Sequence, residues 1–301
     1  MTKSTKWFLG ILSVLALLTI GFVILIIVLI APSTKDTELV TIGRGEKLAV
    51  VEVYGVITSS DDVVRQLKKY REDNSIEGII LRVNSPGGAV VPSQEIYSEV
   101  RNTREIKPVI VSMGSLAASG GYYVSCGGTR LVANCGTLTG SIGVISEFLQ
   151  LHGALDKLGI DVKIIKSGKL KDAGASSRPM TKEDEKYFQA LMDEVHRQFM
   201  DVVEKERGLT NEEVLELADG RVFTGEQALE RGLVDTLGTY EDAVKIAAAI
   251  AGIDGDPALV VERKRTPWWS PVVEEMNHTI QELKEEILNR PILSYRYTGP
   301  F

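Results

Sequence analysis

Residues 78–88 read Gly-Ile-Ile-Leu-Arg-Val-Asn-Ser-Pro-Gly-Gly, an apolar, β-branched run that stops at a proline and two glycines. A short apolar run closed by turn chemistry fits a strand buried on both faces. Pro86 has no amide proton to give a ladder, and Gly87 and Gly88 reach backbone conformations closed to other residues. Working outward, similar runs recur at 48–53 (Leu-Ala-Val-Val-Glu-Val), 109–113 (Val-Ile-Val-Ser-Met), 131–133 (Leu-Val-Ala) and 162–165 (Val-Lys-Ile-Ile). Helical patterns separate them, at about 60–73, 92–106, 119–127 and 146–158. Buried strands alternating with amphipathic helices predict βαβ units and a largely parallel sheet, an α/β fold.

Beyond residue 180 the chain changes character. Residues 181–206 are a long charged amphipathic stretch, with Thr181 followed by Glu183 and Asp184 as a helix start. Shorter helices are expected at about 210–218, 225–231 and 240–251. In the extension 253–301, Val273, Met276, Ile280, Leu283 and Ile287 form one apolar face. That face packs either on the chain's own core or on another subunit.

Toward the N-terminus, residues 7–31 contain no charged side chain. As a helix this run extends roughly 35–40 Å, enough to cross a bilayer with some tilt. It is longer than the apolar core of a cleavable signal peptide, so residues 1–31 are expected to be a retained transmembrane anchor. Lys3 and Lys6 precede the span and Lys35, Arg44 and Lys47 follow it. The charges are nearly balanced, and translocation of the C-terminal part is the preferred orientation. Residues 32–46 lack apolar periodicity and read as a tether, and residues 47–252 as the globular domain.

With 301 residues, 44% hydrophobic, the chain has material for one sizeable core or two modest ones. The formal charge of 34 − 41 = −7 offers no basic surface for nucleic acid. Two cysteines, Cys126 and Cys135, cannot make a metal site alone; they are free thiols or one disulfide. No phosphate-binding GxxxxGK[ST] or GxGxxG occurs, and neither does GxSxG or HExxH. No cofactor or metal is expected.

Three fragments carry possible chemistry. Met113 to Tyr123 reads Met-Gly-Ser-Leu-Ala-Ala-Ser-Gly-Gly-Tyr-Tyr, small residues between a strand and a helix-like stretch. Ser119 falls at or near the helix start, where backbone N–H groups can stabilise developing negative charge. Tight helix–sheet packing explains the same small residues. The Gly87-Gly88 turn can aim amides into a cavity, as an oxyanion hole requires, and also fits an ordinary turn. Residues 165–172, Ile-Lys-Ser-Gly-Lys-Leu-Lys-Asp, hold three lysines, which on their own fit a solvated loop. A lysine serves as general base only when neutral, so its reference pKa near 10.4 must fall by about two units through burial or hydrogen bonding. The only histidines are His152, His196 and His278. Neither His196, in the charged helix, nor His278, in the C-terminal segment, lies in a strand-to-helix turn, and a Ser-His-Asp triad through His152 stays open.

Five stretches in order resemble the signal peptide peptidase A family, Ser-Lys membrane proteases of the caseinolytic-protease/crotonase superfamily. They are VNSPGG (83–88), MGSLAASGGYY (113–123), GTLTGSIGVI (136–145), IKSGKLKD (165–172) and ADGRVFTGEQALERGLVDTLG (218–238). The resemblance spans residues 48–251. It implies a caseinolytic-protease/crotonase-like spiral of βαβ units, preceded here by one transmembrane helix. By the same resemblance Ser119 is the nucleophile, Lys171 the general base and Ser141 the hydroxyl that holds the lysine amine. Gly88 and Gly120 supply the oxyanion-hole amides. The choice of Lys171 over Lys169 or Lys166 rests on the family's Lys-Asp pair. Implied partners are signal peptides and other apolar peptides, the membrane, and further copies in a homo-oligomeric ring whose sites are shared between subunits. The resemblance also implies a single-pass cell-membrane protein with its protease domain outside the cytoplasm, and a C-terminal tail ending at Phe301 that can act as self-ligand. Two other readings fit less of the sequence: a Ser-Lys protease acting on stomatin-like proteins, and a crotonase-type acyl-CoA enzyme.

Overall fold

The structure, a computed structural model, describes residues 37–264 and 294–298, together with Thr5, Trp7, Leu15 and residues 17–21, which are helical. The rest of the expected anchor, and the apolar face expected over 273–287, lie outside the described residues. Among the described residues, no helix is long and apolar enough to cross a membrane.

The strands are β1 (Thr37–Ile42), β2 (Lys47–Tyr54), β3 (Ile76–Ser85), β4 (Gly87–Ala89), β5 (Val109–Ala118), β6 (Arg130–Ala133), β7 (Leu138–Gly140), β8 (Val222–Thr224), β9 (Thr236–Leu237), β10 (Ala258–Lys264) and β11 (Ser294–Arg296). The helices are α1 (Asp61–Glu72), α2 (Val90–Arg104), α3 (Gly120–Ser125), α4 (His152–Lys157), α5 (Lys182–Arg207), α6 (Asn211–Leu217), α7 (Gly225–Glu230) and α8 (Tyr240–Ala251). The main sheet runs β1-β10-β2-β3-β5-β6-β9, with β7 on the far part of β5 and β8 on β7. The pairs β10/β2, β2/β3, β3/β5, β5/β6, β5/β7 and β6/β9 are parallel, and β7/β8 is antiparallel. The parallel α/β architecture expected from the alternating runs is therefore present.

Strand side chains alternate between two buried faces, which explains why these strands read as continuous apolar runs. Leu48, Val50, Ile80, Ile110 and Val132 meet Ala243, Val244, Ala247 and Ala248 of α8 on one face. Ala49, Val51, Ile79, Leu81, Val109, Val111 and Leu131 face the other way, onto Leu67, Tyr97, Tyr122 and Phe199 of the helices opposite. Thr181, Thr210, Thr224 and Thr239 each open a helix with a capping box, satisfying amides that the first turn leaves unpaired.

Four local expectations are corrected. Residues 37–42, read as part of a tether, form β1 in the sheet, and residues 258–264, assigned to the C-terminal extension, form β10 beside β2. Residues 162–165 are not a strand. They have the composition of one but no strand to pair with among the described residues, and Val162, Ile164 and Ile165 stay exposed, Ile165 at 90%. The helix expected over 146–158 is reduced to His152–Lys157, within the same poorly covered arm. Cys126 and Cys135 are free thiols, the first buried and the second exposed.

Candidate active site

Strand β5 delivers Ser119 to the first turn of α3. The residue is 1% exposed and sits at φ 53°, ψ −117°, a left-handed region that costs a residue with a Cβ about 1–3 kcal/mol. Its conformation is held from both sides: the Ser119 amide donates to the Gly140 carbonyl (2.7 Å) and its carbonyl accepts from the Tyr123 amide (2.8 Å). Deeper in, the Tyr122 hydroxyl donates to the Leu233 carbonyl (2.9 Å), fixing α3 against the segment before β9. Ser141, which follows β7, is the other described non-glycine residue at positive φ (50°); its amide donates to the Arg221 carbonyl (2.9 Å).

The turn between β3 and β4 is equally constrained. The Ser85 hydroxyl donates to the Gly55 carbonyl (2.6 Å) and accepts from the Gly87 amide (3.0 Å). The Gly87 amide is thus used within the turn. Ile57 takes one edge of β4, donating to the Gly87 carbonyl (2.9 Å) and accepting from the Ala89 amide (2.7 Å). A Cβ on Gly88 would lie 2.1 Å from the Ile57 oxygen, so only glycine fits.

The other edge of β4 is taken by the chain's own β11, antiparallel, with Tyr295 opposite Gly88 and Arg296 opposite Gly87. The Tyr297 amide donates to the Pro86 carbonyl (2.8 Å). Antiparallel pairs alternate between bonded and non-bonded kinds, so Gly88–Tyr295, two residues on, is of the bonded kind, and the Gly88 amide is aimed at the Tyr295 carbonyl. On its far side Ser294 exchanges two backbone bonds with Ile145 (3.0 and 3.1 Å). The segment is gripped along both edges, as an added peptide strand is. A Cβ on Gly120 would lie 3.1 Å from the Tyr295 carbonyl oxygen, which places that oxygen between Gly88 and the residue after Ser119.

The Tyr295 ring is fully buried. It stacks on Tyr123 (centroids 5.2 Å, 22°) and meets Phe199 at 4.8 Å, and its hydroxyl donates to the Val195 carbonyl (3.1 Å). Burial pushes the Tyr123 phenol up to about 12 and that of Tyr295 upward too. The pocket therefore takes a neutral aromatic or apolar side chain. Beyond Tyr295 a cavity of about 430 Å³ opens, lined by Ser119, Ser141 and the α5 residues Gln189, Met192, Asp193 and His196.

A strained serine between a sheet and a short helix, with a peptide carbonyl paired to the Gly88 amide close by, fits a serine-type acyl-transfer site. Residues 101–254 match peptidase family S49, and residues 49–136 also match the Clp protease family. The chain belongs to peptidase family S49. It is 45% identical over 212 residues to a putative protease of Synechocystis sp., covering 70% of this chain and 76% of the relative. A putative protease of Methanocaldococcus jannaschii is 37% identical over 265 residues, 83% of each chain. A putative signal peptide peptidase SppA of Enterococcus faecium is 42% identical over 180 residues, 60% of this chain and 52% of that one. The protein is thus a serine-type peptidase.

In this S49 peptidase the structure brings four of the five expected site residues to one place. Ser119 and Ser141 line the cavity, and Gly88 and Gly120 flank the peptide carbonyl. Lys171 is not among the cavity-lining residues. It is exposed, in a turn where its amide donates to the Gly168 carbonyl (3.1 Å). His152 also lies outside the cavity lining, whereas His196 is part of it, with a buried Nε2 that has no hydrogen-bond partner among the described residues. Sequence reading passed over the α5 wall. The 189, 192, 193, 196 spacing marks one helix face, but the charge of that stretch reads as solvated surface. Phe301, the expected self-ligand end, lies outside the described residues; the part of the tail in the groove is Ser294–Arg296.

Proposed function

We propose that this S49 peptidase is a membrane-anchored endopeptidase that clears residual signal peptides and other apolar peptides, with Ser119 as nucleophile and Lys171 as general base. The observation that carries the reading is the Tyr295 carbonyl, aimed at the Gly88 amide and lying close to Gly120, the residue after Ser119. In the reaction neutral Lys171 takes the Ser119 Oγ proton as Oγ adds to the scissile carbonyl, and the two amides hold the oxyanion. The C–N bond then breaks, with the lysine proton passing to the leaving amine. Water, deprotonated by the same lysine, releases the acyl group and restores the serine.

Lys171 stands outside the cavity of its own chain, and the arm that carries it exposes Leu149, Leu158, Val162 and Ile165. Both features favour assembly of several copies in a ring, with Lys171 of one copy entering the Ser119–Ser141 cavity of the next. The uncharged run over 7–31 supports a single-pass anchor in the cell membrane, with the protease domain outside the cytoplasm. β11 then acts as a self-ligand that substrate displaces.

The test is hydrolysis of apolar fluorogenic peptides by the full chain in detergent. Ser119→Ala and Lys171→Ala should each reduce kcat by at least about 1,000-fold. Mixing the two inactive variants should restore part of the activity if each site draws on two copies. Full activity in either single variant overturns the dyad.

A further inference from the structure

The segment carrying Lys171, residues 158–180, has no helix or strand of its own, yet a general base has to be held to within about an ångström of its working position. What orders this segment is a single guanidinium. Arg178 donates from Nε to Asp172 Oδ2 (2.9 Å) and from Nη2 to both Asp172 Oδ1 (3.1 Å) and the Asp172 main-chain oxygen (3.0 Å). It thereby fixes the side chain and the backbone of the residue next to Lys171. Its remaining arm, Nη1, donates to Asp184 Oδ2 (2.6 Å) and to the Pro179 carbonyl (2.9 Å). Asp184 belongs to α5: its carboxylate also accepts from the Thr181 amide (3.0 Å) in the capping box.

The bridge is built rather than incidental. The Asp172 and Asp184 side chains are 9% and 3% exposed, while Arg178 keeps 24% of its surface in water. Two carboxylates drawn onto one cation would repel each other without it. Planar five-donor geometry is what permits contact with both acids and two carbonyls at once, which a lysine ammonium cannot reproduce. Secondary contacts reinforce the same junction. Lys166 pairs with Asp172, Lys169 with Glu183, and Phe148 packs on Phe188 of α5 with ring centroids 4.3 Å apart.

The far half of α5 is the wall of the peptide site, supplying His196 to the cavity and Phe199 to the Tyr295 ring. We infer that Arg178 is a positioning residue, which locks the Lys171 turn to the first turn of α5 and so holds the base in a fixed place relative to the body of the chain that carries it. The inference rests on the reading of Lys171 as general base.

Kinetics of the full chain in detergent, on an apolar fluorogenic peptide, test it. Arg178→Gly should lower kcat by about 100-fold, the cost of a small misplacement of a reacting group, with KM within about twofold of wild type. Guanidinium ion at millimolar concentration should restore kcat saturably in Arg178→Gly and leave wild type unaffected; Arg178→Lys should fall between. Asp172→Asn cuts the bridge from the other end and should show the same selective loss of kcat, which keeps the test available if Arg178→Gly does not fold. A kcat within about twofold of wild type in a folded Arg178→Gly or Asp172→Asn overturns the inference. So does a loss that appears in KM alone, or one that guanidinium leaves untouched in folded Arg178→Gly. Lys171→Ala, run in parallel, separates the two levels. Full activity there removes the base assignment itself. Inactive Lys171→Ala beside fully active bridge variants removes only the role of Arg178.

Discussion

Tyr295 lies directly opposite Gly88 in an antiparallel pair, so the chain's own C-terminal segment occupies the edge that a peptide substrate needs. Burial of its ring against Tyr123 and Phe199 contributes roughly 2–3 kcal/mol. Because the strand is tethered, it competes at a high effective concentration. Tyr295→Ala should therefore lower KM for short apolar peptides by about tenfold while kcat stays near wild type. Steady-state kinetics on the purified full chain would show it. An unchanged KM would mean that β11 does not compete for the groove in solution.

Ser119 presents a trade between stability and activity. At φ 53° its Cβ carries strain that glycine would not. Ser119→Gly should unfold at a midpoint about 2–4 °C above Ser119→Ala, after allowance for the extra backbone entropy of glycine in the unfolded chain. Both variants should be inactive. Equal midpoints in thermal unfolding would show that the turn holds no strain at this residue.

Acid should loosen the start of α5 before it affects the sheet. Hydrogen bonds from Arg178 and the Thr181 amide hold the Asp184 carboxyl at about 2 instead of 3.8, and Arg178 and Lys166 hold Asp172 lower still. Both folded values lie below the unfolded ones, so their contribution is complete above about pH 4 and is lost as pH falls through about 2. Amide-exchange protection over 166–186 should be level between about pH 5 and 7 and decline between about 4 and 2. Asp184→Asn should show a smaller decline, reduced to the part that Asp172 contributes. Protection unchanged down to pH 2 in wild type would contradict the assignment.

The sequence made the sheet legible because its strands are buried on both faces. Leu48 to Val53 and Ile79 to Val83 form continuous apolar runs, and each alternates between α8 and the opposite helices. The same signal failed at 162–165, where β-branched residues have no strand beside them among the described residues and remain exposed. Composition reports the capacity to pair, not the presence of a partner. At the site, Ser119, Ser141, Gly88 and Gly120 were legible because each sits in a short local motif. Tyr295 and His196 were not, since their meaning comes from where the tail and α5 fold, 176 and 77 residues after Ser119 (295 − 119 and 196 − 119). Arg178 was hidden in the same way, as its function lies in joining Asp172 to Asp184.

His196 gives the sharpest test of which group takes the proton from Ser119. It lines the same cavity as Ser119 in the same chain, and its Nε2 is buried without a partner among the described residues. Among those residues, no carboxylate accepts from its imidazole, as the orienting acid of a Ser-His pair does. With Lys171 as base, His196 only shapes the cavity wall, and His196→Gln should retain at least about a tenth of wild-type kcat, against a loss of about 1,000-fold or more in Lys171→Ala. With His196 as base, the two losses exchange places. Acylation of Ser119 by a fluorophosphonate, followed by intact-mass spectrometry, reads the same contrast without peptide binding in the way. Rapid labelling in His196→Gln with none in Lys171→Ala supports the lysine, and the reverse pattern would assign the chemistry to the imidazole.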